Sequence, residues 1–221
     1  MKRNLIIATL LFCLPAAALF AQQSTKKFTG TITYRITYPN ASSNPMIASL
    51  PTTLEMQISG NKARTEMMLP FGNNIFIING DDFTITRLVE MESGKYFVKK
   101  TKDDFKMTTT PMINALKETK NIAGQNCKAS EINMVNANNT TKSKIYYSEE
   151  LGGNNIYFNT NVRSIPGIML EFEYNLMGIP VQLSAISVNP GRVSNKLFEI
   201  PSGYTETTEA KLRELRGPMK K

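Results

Sequence analysis

The sequence predicts a mainly β protein: an antiparallel sheet of about ten or eleven strands, interrupted by two short helices and followed by a C-terminal helix. Three observations carry this. Residues 28–38, FTGTITYRITY, alternate Phe28, Ile32, Tyr34, Ile36 and Tyr38 with Thr29, Thr31, Thr33, Arg35 and Thr37, the period-two pattern of a strand with one oily and one wet face. Residues 168–174 repeat it, Ile168, Leu170, Phe172 and Tyr174 standing opposite Met169, Glu171 and Glu173. Between and around these runs, Gly, Asn, Asp and Pro recur at spacings that fit hairpin turns.

The first residues read as an export leader. Lys2 and Arg3 precede the apolar run 5–14, which ends in Pro15 and small residues before Ala21-Gln22. The expected mature N-terminus is Gln22, with Leu19 as second choice. Phe12, next to Cys13, is bulky where a lipoprotein signal needs a small residue, so no lipid anchor is expected there. The apolar core of the leader is short for a membrane helix, and no other stretch approaches the roughly 20 apolar residues of a span; a periplasmic or secreted location is expected. About 200 residues remain for a single domain, 22–221. Only Cys127 survives processing, which excludes an intramolecular disulfide. Losing Lys2 and Arg3 lowers the formal charge from +8 to +6. Lys and Arg are scattered, apart from the tail Lys211, Arg213, Arg216, Lys220 and Lys221, and read as a solvated surface. Nucleic acid is not an expected partner, since no basic and aromatic residues interleave.

The remaining elements follow in order. Asn44-Pro45-Met46-Ile47 sets a cap, a proline at the first helical position and apolar residues, predicting a short helix over 45–50. Residues 54–58 and 62–69 form a hairpin about Gly60-Asn61. The run 74–79, NIFIIN, is apolar on both faces and belongs in mid-sheet under a cover. Strands 83–90 and 95–101 complete a meander. Thr110-Pro111-Met112-Ile113 repeats the cap-and-proline grammar and predicts a second short helix over 111–116. Strands follow at 119–122, 127–135 and 142–148, and residues 151–164 fit neither pattern. In 180–188 the apolar phase slips from Val181, Leu183 and Ala185 to Ile186 and Val188, which predicts a bulge near Ser184-Ala185. Residues 197–201 close the β region, and Leu212 and Leu215 mark one face of a helix over 208–216 that stops at Gly217-Pro218.

The chain has no histidine, which removes the commonest general base and zinc ligand. The carboxylate pairs Asp81-Asp82, Asp103-Asp104 and Glu149-Glu150 sit at predicted turns, without calcium-loop spacing or a converging third group. No metal, cofactor or catalytic residue is expected. Cys127 reads as a small buried hydrophobe rather than a reactive thiol. Eleven methionines follow Met1; they fill gaps in a core or line a soft pocket.

Five stretches together resemble a family: residues 28–34, Gly60-Asn61-Lys62-Ala63-Arg64, 122–129, 165–171 and 198–204. They are similar to the secreted Bacteroidota proteins of unknown function close to the GLPGLI-type group, although Ser164 and Met169 depart from the namesake motif. The resemblance implies a fold like the periplasmic lipoprotein carriers LolA and LolB, a strongly curved, incomplete antiparallel barrel with a greasy concave face plugged by short helices. It brings no catalytic residues. On that footing the two short helices are lids, and Met46, Ile47, Leu50, Met112, Ile113 and Leu116 face Tyr34, Ile36, Leu170 and Phe172 across a pocket. The expected function is non-enzymatic binding of a lipid, acyl chain or lipidated partner. The alternative is a structural or protein-interaction module of the envelope whose concavity its own side chains fill.

Overall fold

The structure, a computed structural model, describes residues 27–39, 45–70, 72–105, 111–136, 139–152, 155–176 and 178–216. The expected leader, the Met46 side chain and the Gly217-Pro218 stop lie outside the described residues. Among the described residues twelve strands form one open sheet: β1 (Thr29–Thr37), β2 (Thr53–Ser59), β3 (Lys62–Leu69), β4 (Gly72–Asn79), β5 (Thr84–Met91), β6 (Gly94–Lys100), β7 (Met112–Ile122), β8 (Gln125–Asn136), β9 (Asn139–Ser148), β10 (Ile168–Leu176), β11 (Ile179–Pro190) and β12 (Thr205–Glu206). Among the described residues a single α-helix, α1 (Glu209–Arg216), follows.

The spatial order is β12-β6-β5-β4-β3-β2-β1-β11-β10-β9-β8-β7. The alternating strand β1 therefore lies at the centre, paired with β2 on one side and β11 on the other. One meander runs from β1 out to β6; the chain then crosses to the far edge and a second meander returns from β7 to β11. Every pairing is antiparallel except that of β12 with β6.

Side chains show that the sheet curls. Tyr157 contacts the backbone of Met169 on β10, while the next residue, Phe158, stacks edge-on against Phe83 in the β4–β5 turn. In a flat sheet those strands would stand roughly 24–29 Å apart, whereas successive Cα atoms are about 3.8 Å apart. Only a wrapped sheet brings both to neighbouring residues. The inner face carries Ile32, Tyr34, Ile36, Met56, Ile58, Leu170, Phe172 and Leu183 in one buried cluster.

The bulge expected near Ser184-Ala185 falls one residue on. Thr33 pairs with Ser187 and Tyr34 with Ala185, so Ile186 is extra and 45% exposed, and Val188 returns to the inner face opposite Ile32. Strand β4 is covered on its outer side, where Ile75 and Ile77 pack with Leu88 beneath Phe198 and Tyr204, and in part on its inner side, where Ile78 packs on the main core but Phe76 is 37% exposed.

Three expectations need correction. Residues 111–116 are not a helix; Met112 to Leu116 begin edge strand β7, with Ile113 opposite Ile132 and Ala115 opposite Ser130. Proline is as acceptable at the start of an edge strand as at the first turn of a helix, because neither needs its missing N–H. The strand wins because a one-turn helix is marginal by itself, whereas β8 offers ladder partners to Met112–Ala115 and again from Thr119. The first lid is a single 3-10 turn, Pro45–Ser49. The strand count rises to twelve because β12, only Thr205–Glu206, has no alternating pattern to betray it.

Gly167 sits where the backbone of β10 enters beside β9. A Cβ there would lie 2.4 Å from the carbonyl oxygen of Ser148, whereas Gly191 has open space. Gly167→Val should therefore cost about 2 kcal/mol or more, read as a clear fall in melting temperature, and Gly191→Ala should leave it unchanged. Equal melting temperatures for both variants and the parent would show that no close approach exists at Gly167.

Candidate functional site

Residues 151–152 and 155–164, from the stretch that follows no period, pack with Ile165 on the concave face. Leu151, Ile156, Tyr157 and Ile165 are buried in the same cluster as Ile32, Tyr34 and Leu170. This plug is tied to the sheet at both arms. The Phe28 N–H donates to the Leu151 carbonyl at 3.1 Å, and Asn155 lies so close to Gly80 that a Cβ there would come within 2.8 Å of it. Turns hold its interior: the Thr160 hydroxyl donates to the Tyr157 carbonyl at 2.8 Å, and the Ile165 N–H to the Val162 carbonyl at 3.0 Å.

Two phenols join plug and sheet at Met169. The Tyr34 hydroxyl donates to the Met169 carbonyl at 2.8 Å, and the Met169 N–H donates to the Tyr157 hydroxyl at 3.1 Å. Tyr34 reaches β10 across β11 because the residue opposite it there is Ala185, which leaves room for the ring. Its ring meets Phe172 edge-on, with centroids 5.9 Å apart. Burial pushes the phenol pKa of both tyrosines above the ordinary range.

The expected pocket residues divide into four groups. Tyr34, Ile36, Leu170 and Phe172 are brought together, buried in the main core. Ile47 and Leu50 are buried with Leu69 in a small satellite cluster, flanked by Tyr38, Met67 and Ile179. Ile113 and Leu116 are half-buried against the main core from β7, and Met112 on the same strand is 61% exposed. Of Met46 only the backbone is described.

The acidic pairs take the turn roles expected of them. Asp81 accepts from Asn61 at 2.5 Å and Asp82 from Asn79 at 2.7 Å; Asp104 accepts from the Thr101 N–H at 2.7 Å, and Glu149 from Lys128 at 2.5 Å. Cys127 is buried, and desolvation pushes its thiol up to about 11, which leaves it un-ionised at neutral pH. Among the described residues, no three of His, Cys, Asp and Glu gather as a metal site.

Two of the surface clefts are described by their lining. One, about 280 Å³, is lined by Thr53, Glu55, Gln57, Arg64 and Glu66 on β2 and β3. There Glu55 stands directly opposite Glu66, whose charge is met by Arg64 at 2.9 Å. The second, about 310 Å³, lies between the plug and the turn after β6 and is lined by Lys102, Asp103, Phe105, Phe158 and Arg163. Phe158 stands edge-on between Phe83 and Phe105, with centroids 5.5 and 5.8 Å away, and the Lys102 ammonium lies 5.2 Å from the Phe83 centroid. The Thr101–Asp104 capping box fixes this turn. Sequence reasoning missed the site because its residues come from three separate loops; the readable signal was Phe83 and Phe158, each embedded in turn residues where no core face demands a ring.

No family model matches the chain, and no curated protein sequence matches it.

The two buried phenols make a pH prediction. Their folded pKa values are raised, so the stability they contribute is complete below the unfolded phenol value near 10 and is lost as pH rises above it. In an alkaline titration followed by phenolate absorbance, Tyr34 and Tyr157 should ionise only together with loss of the folded circular-dichroism signal. Complete ionisation of all eight tyrosines with that signal intact would refute their burial.

Proposed function

We propose that this chain is a non-enzymatic, exported module of the cell envelope, built on a carrier-like half-barrel whose concavity its own chain fills, and acting through its outer surface as a structural or protein-interaction element. One observation carries the reading: Ile156 and Tyr157 of the plug are 1% and 6% exposed, seated on the inner face where a cargo would lie. An acyl chain would have to displace a buried tyrosine that accepts a backbone hydrogen bond, a cost of about 1–3 kcal/mol before any contact is regained. The leader-like first residues and the five motifs resembling the GLPGLI-type group support export and an envelope setting. The lack of histidine and the engagement of the paired carboxylates in turns support a non-enzymatic role.

A second reading, binding of a lipid or acyl chain, is favoured by one specific feature. On the inner face by register, Phe76 is 37% and Tyr174 53% exposed, so part of the concavity keeps uncovered aromatic surface. The two readings separate in one experiment. Protein purified from its own envelope and examined by native mass spectrometry should show a bare polypeptide mass, with no uptake of a fluorescent fatty acid at micromolar concentration. A stoichiometric lipid, or probe uptake that Leu50→Ser with Leu116→Ser changes severalfold without unfolding, would reject the filled-core reading in favour of the binder.

A further inference from the structure

We propose that the free edge of β10, from Phe172 to Leu176, is a strand-addition site for an extended peptide segment of a partner protein, one that carries a lysine or arginine opposite Glu173 and an apolar residue opposite Tyr174. The inference deepens the reading of the chain as a protein-interaction element and rests on it.

The sheet forks at this edge. Strand β9 pairs with β10 only between Ile168 and Glu171, through Ser148, Tyr147 and Tyr146, while its earlier residues pair with β8 alone. Strand β10 runs on to Leu176 with β11 as its one ladder partner, Phe172 opposite Leu183 and Leu176 opposite Ile179. In an antiparallel ladder alternate residues turn their N–H and C=O to opposite neighbours. Some of the backbone groups of 172–176 therefore point into the fork, where no described backbone group meets them. Such a row is a template for one more strand, and main-chain bonds would supply the affinity.

Side chains decide what that strand must carry. Glu173, Tyr174 and Asn175 are exposed in succession. Tyr174 is 53% exposed, whereas Val181, opposite it on the same face, is 2% exposed; the ring lies bare beside the place a neighbouring strand would fill. On the other face Glu173 has no ion pair or hydrogen bond among the described residues, although Glu171 on the same face is held by Lys120 and Ser184. A free carboxylate on a strand favours a basic cross-strand partner and opposes an acidic one. Edge strand β7 offers no such choice, since its Glu118 and Lys120 are already bonded to Lys144 and Glu171. The β10 edge is also preformed: Asn175 Oδ1 accepts from the Gly178 N–H at 2.6 Å and holds the turn into β11, so ordering costs fall on the peptide alone. With a contact only roughly 17 Å long, binding is weak, with a dissociation constant on the order of 0.1–1 mM.

Amide NMR on the mature protein tests this with the probe acetyl-Thr-Val-Thr-Val-Lys-Val-Thr-amide. Shifts should concentrate at residues 172–176 and saturate in that concentration range. Two N-methylated probes are compared, one methylated at its valines and one at its central threonine and lysine. One should lose at least about tenfold in affinity and the other keep it, because only alternate N–H groups face β10. Exchanging the probe's lysine for glutamate should weaken binding about tenfold, Glu173→Gln should reduce that preference about threefold, and Glu173→Lys should reverse it. Glu92→Gln, in the exposed turn between β5 and β6, should change nothing. Equal effects of the two methylated probes, shifts away from β10, a charge preference that Glu173→Lys leaves unaltered, or a dimer of the probe-free protein that Glu173→Lys abolishes would each overturn the proposal. Uptake of a fatty acid would reject the filled-core reading without changing this titration, and a failed titration leaves the filled core in place, so the two failures are told apart.

Discussion

Met169 is the point on which the rest of the fold leans. Its carbonyl accepts from Tyr34 on the central strand and its N–H donates to Tyr157 on the plug. Three segments far apart in sequence are thereby tied at one buried residue, at a place where the pairing of β10 with β9 shifts register between Met169 and Glu171. A register shift leaves backbone groups without ladder partners, and an unpartnered buried group costs about 1–3 kcal/mol. The two phenols supply those partners. Tyr34 is wholly buried, and its hydroxyl reaches from β1 to β10 past the small residue Ala185 opposite it on β11.

From this node the curl of the sheet follows, and with it the treatment of the sheet edges. On one side Lys120 of β7 bonds Glu171 of β10 at 2.8 Å, though two strands separate them, and Glu171 accepts from Ser184 of β11 at 2.9 Å. Edge strand β7 carries Lys117, Glu118 and Lys120, and its pairing is irregular between Ala115 and Thr119; charge and irregularity both discourage pairing with another chain. At the other edge, the chain after β11 passes over Ile75, Ile77 and Leu88 with Phe198 and Tyr204, adds β12 beside β6, and sends α1 to the opposite face. There Leu212 is buried against Val89 and Val98, and Arg87 bonds Glu209 at 3.0 Å. The C-terminal segment is a clamp around an otherwise open edge.

Most of the sheet was legible because a strand with one wet face must alternate. The long alternating strand at 28–38, the hairpin at Gly60-Asn61, the double-sided 74–79 and the phase slip before Val188 all announced themselves in the order of apolar residues. The second lid did not, because Thr110-Pro111 satisfies a helix start and a strand start equally, and only the presence of β8 decides. The plug was illegible for a different reason. Leu151, Ile156, Tyr157 and Ile165 touch the core at irregular intervals through turns, so no period marks them. The cleft was harder still, since Phe83, Lys102 and Phe158 are neighbours only after the sheet has curled.

Whether the plug belongs to the core or merely visits it decides between a filled module and a carrier. Native-state hydrogen exchange at the Met169 amide addresses this directly, since that N–H is protected by the Tyr157 hydroxyl. If the plug is integral, the amide should exchange only through global unfolding, with the same free energy and the same denaturant dependence as the amides of Ile32 and Ile58, both wholly buried. Exchange of Met169 by a local opening that is insensitive to denaturant, while Ile32 and Ile58 stay protected, would contradict the account and show a plug that leaves the concavity.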